Sequence, residues 1–378
     1  NTMRKLIYLF LTVLIVACSG SDDSGGGGDN GGGDGGSNSV ICIDNSVYLD
    51  DNGITIKACE DANVGDIGTI NGVEYTVVDE AMLREMVANE EDVTKVATTR
   101  VTDMNEMFFD GITSSTFNQD IGNWDISNVT DMGDMFYSAL SFNQPIGNWN
   151  VSQVTDMDEM FAGAQSFNQD IRNWNVSNAT DMRAMFYLAI SFNQDISSWD
   201  VSNVTNMAQM FDVAQSFNQD ISNWDVSSVT DMRAMFNVAI AFNQPIGNWD
   251  VSNVTDMAQM FANTTSFNQP IGDWDVSNVT NMNGMFGNST SFNQPIGNWN
   301  VSSVNNMQSV FGASIFNQSI ENWDVSNVTN ISGMFRDATA FNQNLSSWSA
   351  GNVTNCFRFS YNTPQWTLPQ PTFTNCTP

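Results

Sequence analysis

From Val101 onward, apolar and polar positions recur with a period of 25 residues. Trp falls at 124, 149, 174, 199, 224, 249, 274 and 299, then at 323 and 348 after one 24-residue step. The unit reads approximately W-D-V-S-N-V-T-D-M-x-x-M-F-x-x-A-x-S-F-N-Q-D/P-I-G-N. In one copy, Ile121, Trp124, Ile126 and Val129 are spaced three, two and three apart, which predicts an extended segment with Trp124 and Ile126 inward and Asn123, Asp125 and Ser127 outward. Thr130 then stands as the cap of a short helix carrying Met132, Met135 and Phe136 on one face. The turn Phe142-Asn143-Gln144-Pro145 returns the chain.

One such unit cannot bury its own apolar face, so the repeat predicts a solenoid in which each rung packs on the next. The apolar spacing matches the strand part of a leucine-rich repeat. The expected fold is therefore an LRR-like α/β solenoid, with a parallel strand and a short helix per rung. Of 21 methionines, 18 lie at the two Met positions of the unit, and 20 of 25 phenylalanines lie at its two Phe positions. They are accounted for as core, which removes a Met-rich metal site. A three-residue insertion between Phe108 and Phe117 and a one-residue deletion between Phe311 and Phe316 mark an exposed loop between Met-Phe and Phe-Asn-Gln. The amides of the Phe-Asn-Gln triplets, Asn118 among them, are read as buried and structural, bonded to one another or to the backbone of the adjacent rung.

Ahead of the array, residues 40–94 are non-repetitive. Val47-Tyr48-Leu49 and Ile54-Thr55-Ile56 flank Asp50-Asp51-Asn52-Gly53 as a hairpin, and Asn71-Gly72 suits a second tight turn. Asp79 caps a predicted helix to about Asn89, with Met82, Leu83, Met86 and Val87 as its apolar stripe. The expected organisation is a leader over 1–18, a flexible linker over 19–39, this module, the array over 95–360 and a C-terminal cap over 361–378.

Charge narrows the function. The chain carries 11 Lys plus Arg against 42 Asp plus Glu, a net charge of −31, and no histidine. Phosphate neutralisation needs clustered cations, so a nucleic-acid partner is not expected. Imidazole catalysis and imidazole metal ligation are excluded. Carboxylate-only catalysis needs two acids with divergent pKa values, and repeated acids in equivalent rungs do not supply them.

Arg4 and Lys5 precede the apolar run Leu6–Val16, which is too short to span a bilayer as a mature helix but suits a signal peptide, with Met3 read as the start. Ala17-Cys18 closes that run and resembles a bacterial lipobox, with Cys18 as the lipidated residue; the alternative is an ordinary signal peptide with a chance cysteine. Ser19 resembles outer-membrane routing, and Ser21-Asp22-Asp23 an acidic surface-export tag. Ten glycines among residues 19–39 read as a tether. The remaining Cys42, Cys59, Cys356 and Cys376 allow three pairings. Export favours Cys42 with Cys59 and Cys356 with Cys376; four reduced, buried thiols are the alternative.

The Trp-x-Val-x-x-Val-Thr-x-Met-x-x-Met-Phe and Phe-Asn-Gln unit resembles BspA-like leucine-rich-repeat surface proteins, including the 25-residue variety of mycoplasmas and flavobacteria, over about residues 95–360. The resemblance implies a cell-surface protein, some relatives of which attach to extracellular-matrix proteins or other cells; joined to the lipobox-like run and the polar solenoid face, it gives the expectation of a lipid-anchored protein of the bacterial outer membrane that binds an extracellular protein or glycan. It supplies no catalytic residues. With no recognisable sorting domain after Tyr361, display is expected to rest on the lipid at Cys18.

The candidate binding face is the residue after each Trp: Asp125, Asn150, Asn175, Asp200, Asp225, Asp250, Asp275, Asn300 and Asp324, with serine two positions further on. Parallel rungs about 4.8 Å apart make this a polar strip about 45 Å long. The alternatives are a surface kept polar for solubility, a structural surface-layer role through self-association, and, at lower weight, a calcium ladder along the carboxylates or a carbohydrate-active protein. No cofactor is expected, and the body is read as a monomer.

Overall fold

The computed structural model describes residues 42–109 and 115–378. Cys18, the leader and the tether lie outside these residues.

Local turn chemistry builds the N-terminal module. Strand β1 (Val47–Leu49) pairs antiparallel with β2 (Ile56–Ala58), Leu49 opposite Ile56. Between them Asn52 Oδ1 accepts the N–H groups of Ile54 and Thr55, both at 2.9 Å, so Asp51-Asn52-Gly53 is a turn. Strand β3 (Ile67–Ile70) pairs antiparallel with β4 (Val73–Val77) across Asn71-Gly72, whose φ values of 51° and 82° are what a two-residue hairpin turn requires. Helix α1 (Glu80–Ala88) starts at Asp79, whose side chain accepts the Met82 N–H, and ends at Asn89. Leu83 is fully buried, with Met82, Met86 and Val87 packed partly buried against the core. Strand β5 (Val96–Ala97) lies parallel to β4 and leads into the array.

The array is a stack of coils sharing one continuous core, in which every Trp, Met and second-row Phe from Trp124 to Phe341 is buried. The coils are not built as the apolar spacing predicts. Among the described residues no coil contains an α-helix, and the Ile-x-x-Trp-x-Val-x-x-Val segment is not a strand. It is a pair of turns, closed in one coil by Trp199 N–H to Ile196 O at 3.2 Å and by Val204 N–H to Val201 O at 2.9 Å. The inter-coil ladder runs instead through the Met-x-x-Met-Phe segment. Parallel bridges join Asp103, Asp131, Asp156, Asp181, Asn206, Asp231, Asp256, Asn281, Asn306, Asn330 and Asn355 in order. Beyond each bridge, alternate amides donate forward: Met207, Gln209, Phe211 and Val213 bond to the carbonyls of Asp231, Arg233, Met235 and Asn237 at 3.0, 2.7, 2.9 and 2.7 Å.

The reason is backbone chirality. The residue before the second Met is left-handed throughout, as in Asp134, Glu159, Ala184 and Gln209, and so is a second series that includes Ser138, Leu188 and Val213. A left-handed residue ends a right-handed helix after one turn. The intervening amides therefore close short turns, Met210 N–H to Met207 O and Ala214 N–H to Phe211 O. The others are free to bond along the stack.

Aromatic rings fill the interior in register. Within a coil Phe211 stacks on Phe217 at 3.9 Å; between coils Phe211 stacks on Phe236 at 5.8 Å and Phe217 on Phe242 at 6.1 Å. Burying each such side chain contributes about 1.5–3 kcal/mol. The N-terminal module closes one end, with Val93 O accepting the Trp124 indole N–H at 2.9 Å and Ile56 N–H bonding to Asn123 O at 2.9 Å. At the other end Trp366 stands edge-on to Phe335 and Phe341, and Phe373 edge-on to Phe359. Disulfides Cys42–Cys59 and Cys356–Cys376, with Cα separations of 5.8 and 5.9 Å, staple the two ends.

Candidate interaction surface

The residue after each Trp begins a local turn. Asp200 Oδ1 accepts the Ser202 N–H at 3.1 Å and the Ser202 hydroxyl at 2.6 Å, and Asp225 does the same with Ser227 at 3.1 and 2.6 Å. Asp250, Asp275 and Asp324 each accept a backbone N–H at 3.0 Å, from Ser252, Ser277 and Ser326. Asn150, Asn175 and Asn300 hold the same turn through their amide oxygens. The recurring Asp/Asn and Ser thus have a structural task, and the second carboxylate oxygen of each Asp remains for other contacts. All nine residues but one are exposed.

The exception is Asp125. It is 3% exposed and does not belong to an open face. The N-terminal module covers it: Thr98 Oγ1 donates to its carbonyl at 2.8 Å, and its Oδ1 accepts from Ser127 N–H and Oγ. The periodicity placed Asp125 with its equivalents because a repeat pattern carries no information about what packs on the first coil.

The hydroxyl and amide bonds from serine hold the carboxylates of Asp200, Asp225, Asp275 and Asp324 below the ordinary aspartate range. Asp200, Asp225, Asp250 and Asp275 therefore line four successive coils with acidic side chains facing solvent. Among the described residues, no group of three His, Cys, Asp or Glu is arranged to hold a metal ion.

A second acidic column went unread. The bridge residues Asp131, Asp156 and Asp181 follow one another half-buried, and burial raises Asp156 above the usual carboxylate range, further raised by Asp131 and Asp181 and opposed by the Asp158 amide. Asn206 interrupts the run, donating its Nδ2 to Asp181 Oδ2 at 3.1 Å. Beside it, burial lifts Asp134 to about 6, helped by Glu159, Asp158 and Glu106. Burial also lifts Asp158 to about 6 against the pull of Arg183, which bonds to Asp158 at 2.6 Å and Glu159 at 2.5 Å. The Asp/Asn alternation after each Val-Thr was the sequence signal for this column.

The Phe-Asn-Gln amides do bond from coil to coil. Asn193 Oδ1 accepts Asn218 N–H at 3.0 Å and Gln219 Nε2 at 2.9 Å, and its carbonyl accepts Gln219 Nε2 at 2.9 Å. They do so at the surface and not in the core as the sequence suggested: Asn118 and Asn143 are exposed.

Three overlapping stretches, residues 77–197, 188–293 and 260–368, match the model of a family described as "Mycoplasma protein of unknown function, DUF285". The chain belongs to this DUF285 family. The matches span all coils of the array, so the DUF285 unit and the solenoid coincide. No curated protein matches the chain. Among solved structures it is similar to "Crystal structure of TLR13-ssRNA13 complex", at 6% identity, covering 74% of this chain and 46% of that one with a TM-score of 0.23. A likeness that low carries no argument, and the solenoid rests on the coordinates of the DUF285 array itself.

Proposed function

We propose that this protein is a lipid-anchored, surface-displayed recognition protein of BspA-like character that binds an extracellular protein or glycan without catalysis. The observation that carries the reading is the row of exposed carboxylates at Asp200, Asp225, Asp250 and Asp275, each fixed by its own serine turn on a rigid stack. Regularly spaced like charges on a preorganised face favour an extended partner with cationic or hydroxyl groups, and the contacts cost little side-chain ordering. The lipobox-like Ile15-Val16-Ala17-Cys18 supports anchorage through a lipid on Cys18, and Ser19 supports routing to the outer membrane.

The test is capture of surface and matrix proteins or arrayed glycans by the soluble body, with and without chelator. The triple variant Asp200→Asn, Asp225→Asn, Asp250→Asn should lose most capture while still folding, at a slightly lower melting temperature, because asparagine keeps the acceptor oxygen for each turn but not the charge that strengthens the serine bonds. Capture unchanged by the triple substitution rejects the face. Concentration-dependent sedimentation of the soluble body would favour a surface-layer role instead.

A further inference from the structure

The ladder has a direction. In the coil described above, the amides of Met207, Gln209, Phe211 and Val213 all point toward the C-terminal end and the accepting carbonyls all point back. An ordinary parallel strand presents alternating donors and acceptors along each edge. Here Thr205 O accepts the next coil's Thr230 N–H, but from Met207 to Val213 the forward edge presents donors alone, and along that segment the peptide dipoles add through the stack as they do in a helix.

The two ends are treated differently. At the start, Arg84 of α1 caps one carbonyl of the acceptor edge, its Nη1 donating to Asn105 O at 2.9 Å. At the finish, the equivalent donors are the N–H groups of Cys356, Arg358, Ser360 and Asn362, and none of the described residues accepts them. The tail covers the interior behind them through Trp366, Phe373 and Cys376. Arg358 and Asn362 nonetheless stay exposed and Ser360 half-exposed. Phe357 and Tyr361, 63% and 57% exposed, flank the row, and the Arg358 guanidinium lies 5.0 and 5.2 Å from their rings. The neighbouring carboxylate, Asp337, is engaged with the Asn362 side chain and with Arg336.

We infer that this edge docks an extended, carboxylate-bearing peptide segment of a partner protein, which adds one more backbone layer to the stack. Charge decides the occupant: a row of donors from Cys356 to Asn362 with a guanidinium in its middle needs carbonyls and an anion. The apolar faces of Phe357 and Tyr361 suit the alternate side chains of a bound strand. A second copy stacked end to end fits less well, because Arg84 already occupies Asn105 O within the acceptor edge it would offer.

The probe is a fluorescent octapeptide of alternating Val and Asp, capped at both ends and methylated on the backbone nitrogens of its outer edge so that it cannot pair with itself. It is titrated against the full chain by anisotropy, with amide exchange read at Arg358, Ser360 and Asn362. The expected result is saturable binding, slowed exchange at these amides, and binding at least about tenfold weaker, about 1.4 kcal/mol, both for Arg358→Glu and for the Val/Asn peptide. Glu159 and Gln209 occupy the same left-handed position in other coils, so Arg358→Glu and a second variant, Arg358→Gln, keep the fold. The proposal is overturned by no binding at about 1 mM peptide, by affinity that both Arg358 variants leave unchanged, or by sodium acetate slowing the same amides equally, which would make the edge a simple anion site.

Discussion

The indole N–H of Trp224 donates to the carbonyl oxygen of Ile196, one coil back, at 3.1 Å. The same bond recurs from Trp149 to Trp348, at 3.0 to 3.2 Å. The tryptophan column is thus more than bulk, since each ring satisfies a buried carbonyl of its neighbour. Trp224→Phe removes the donor, leaves Ile196 O with the Trp199 N–H alone and opens space beside Phe211. The expected loss is about 0.5–1.5 kcal/mol for the hydrogen bond, with a further cost for the cavity. Urea unfolding of the soluble body checks it; a loss below about 0.5 kcal/mol would mean that packing alone selects tryptophan there.

Val213 and Val238 sit at φ of 60° and 56°, in a region that β-branched residues avoid. Gly163, Asn263 and Asn288 occupy the equivalent position in other coils without that penalty. Val213→Asn and Val238→Asn should each stabilise the fold by about 1 kcal/mol, read as a higher melting temperature. The neighbouring Val226→Asn, at a buried position, should do the opposite.

Stability should be higher at pH 5 than at pH 7.5. Burial raises Asp134, Asp158 and Asp212 to about 6, so the folded state holds more protons than the unfolded chain between pH 4 and 6. Stability must then fall as pH rises through that window. Below it the sign reverses, because Asp200, Asp225 and Asp275 are held low by serine and lose that contribution on protonation. Asp212→Asn isolates one group. Asn237 Nδ2 already donates to Asp212 Oδ1 at 2.8 Å, and Asn263 and Asn288 continue the same chain of amides. The variant should therefore melt higher at pH 7.5 and show a shallower decline between pH 5 and 7.5.

Cys356–Cys376 closes a span of 20 residues at the C-terminal end. Its removal in the double variant Cys356→Ser, Cys376→Ser should cost about 3 kcal/mol. The loss should be local in amide exchange, concentrated in the final coil and tail, because each coil contacts only its neighbours. Uniform loss of protection over the whole array would contradict that division.

Much of this fold was legible before the coordinates. The 25-residue period located every buried Trp, Met and Phe column, Asn71-Gly72 gave the β3–β4 hairpin, and Asp79 gave the start of α1. What misled was the spacing of Met132, Met135 and Phe136. Three and four residues apart, they fit a helix, yet two turns joined at a left-handed Asp134 present the same side chains inward. The hint lay in other coils, where Gly163, Asn263, Gly284, Asn288 and Gly333 mark positions of positive φ among residues that tolerate it poorly. The outward strip was readable as an alternating Asp and Asn column. The burial of Asp125 was not, because it depends on a contact with the N-terminal module that no repeat unit encodes.

Because every inner coil offers its successor the same set of donors that it draws on itself, coils are interchangeable parts. A recombination event that inserts or deletes whole units would alter the reach of the molecule and the number of side chains in each column, while both termini kept their own closures. Length, in such a protein, is a quantity that can drift in whole steps without the fold having to be solved again.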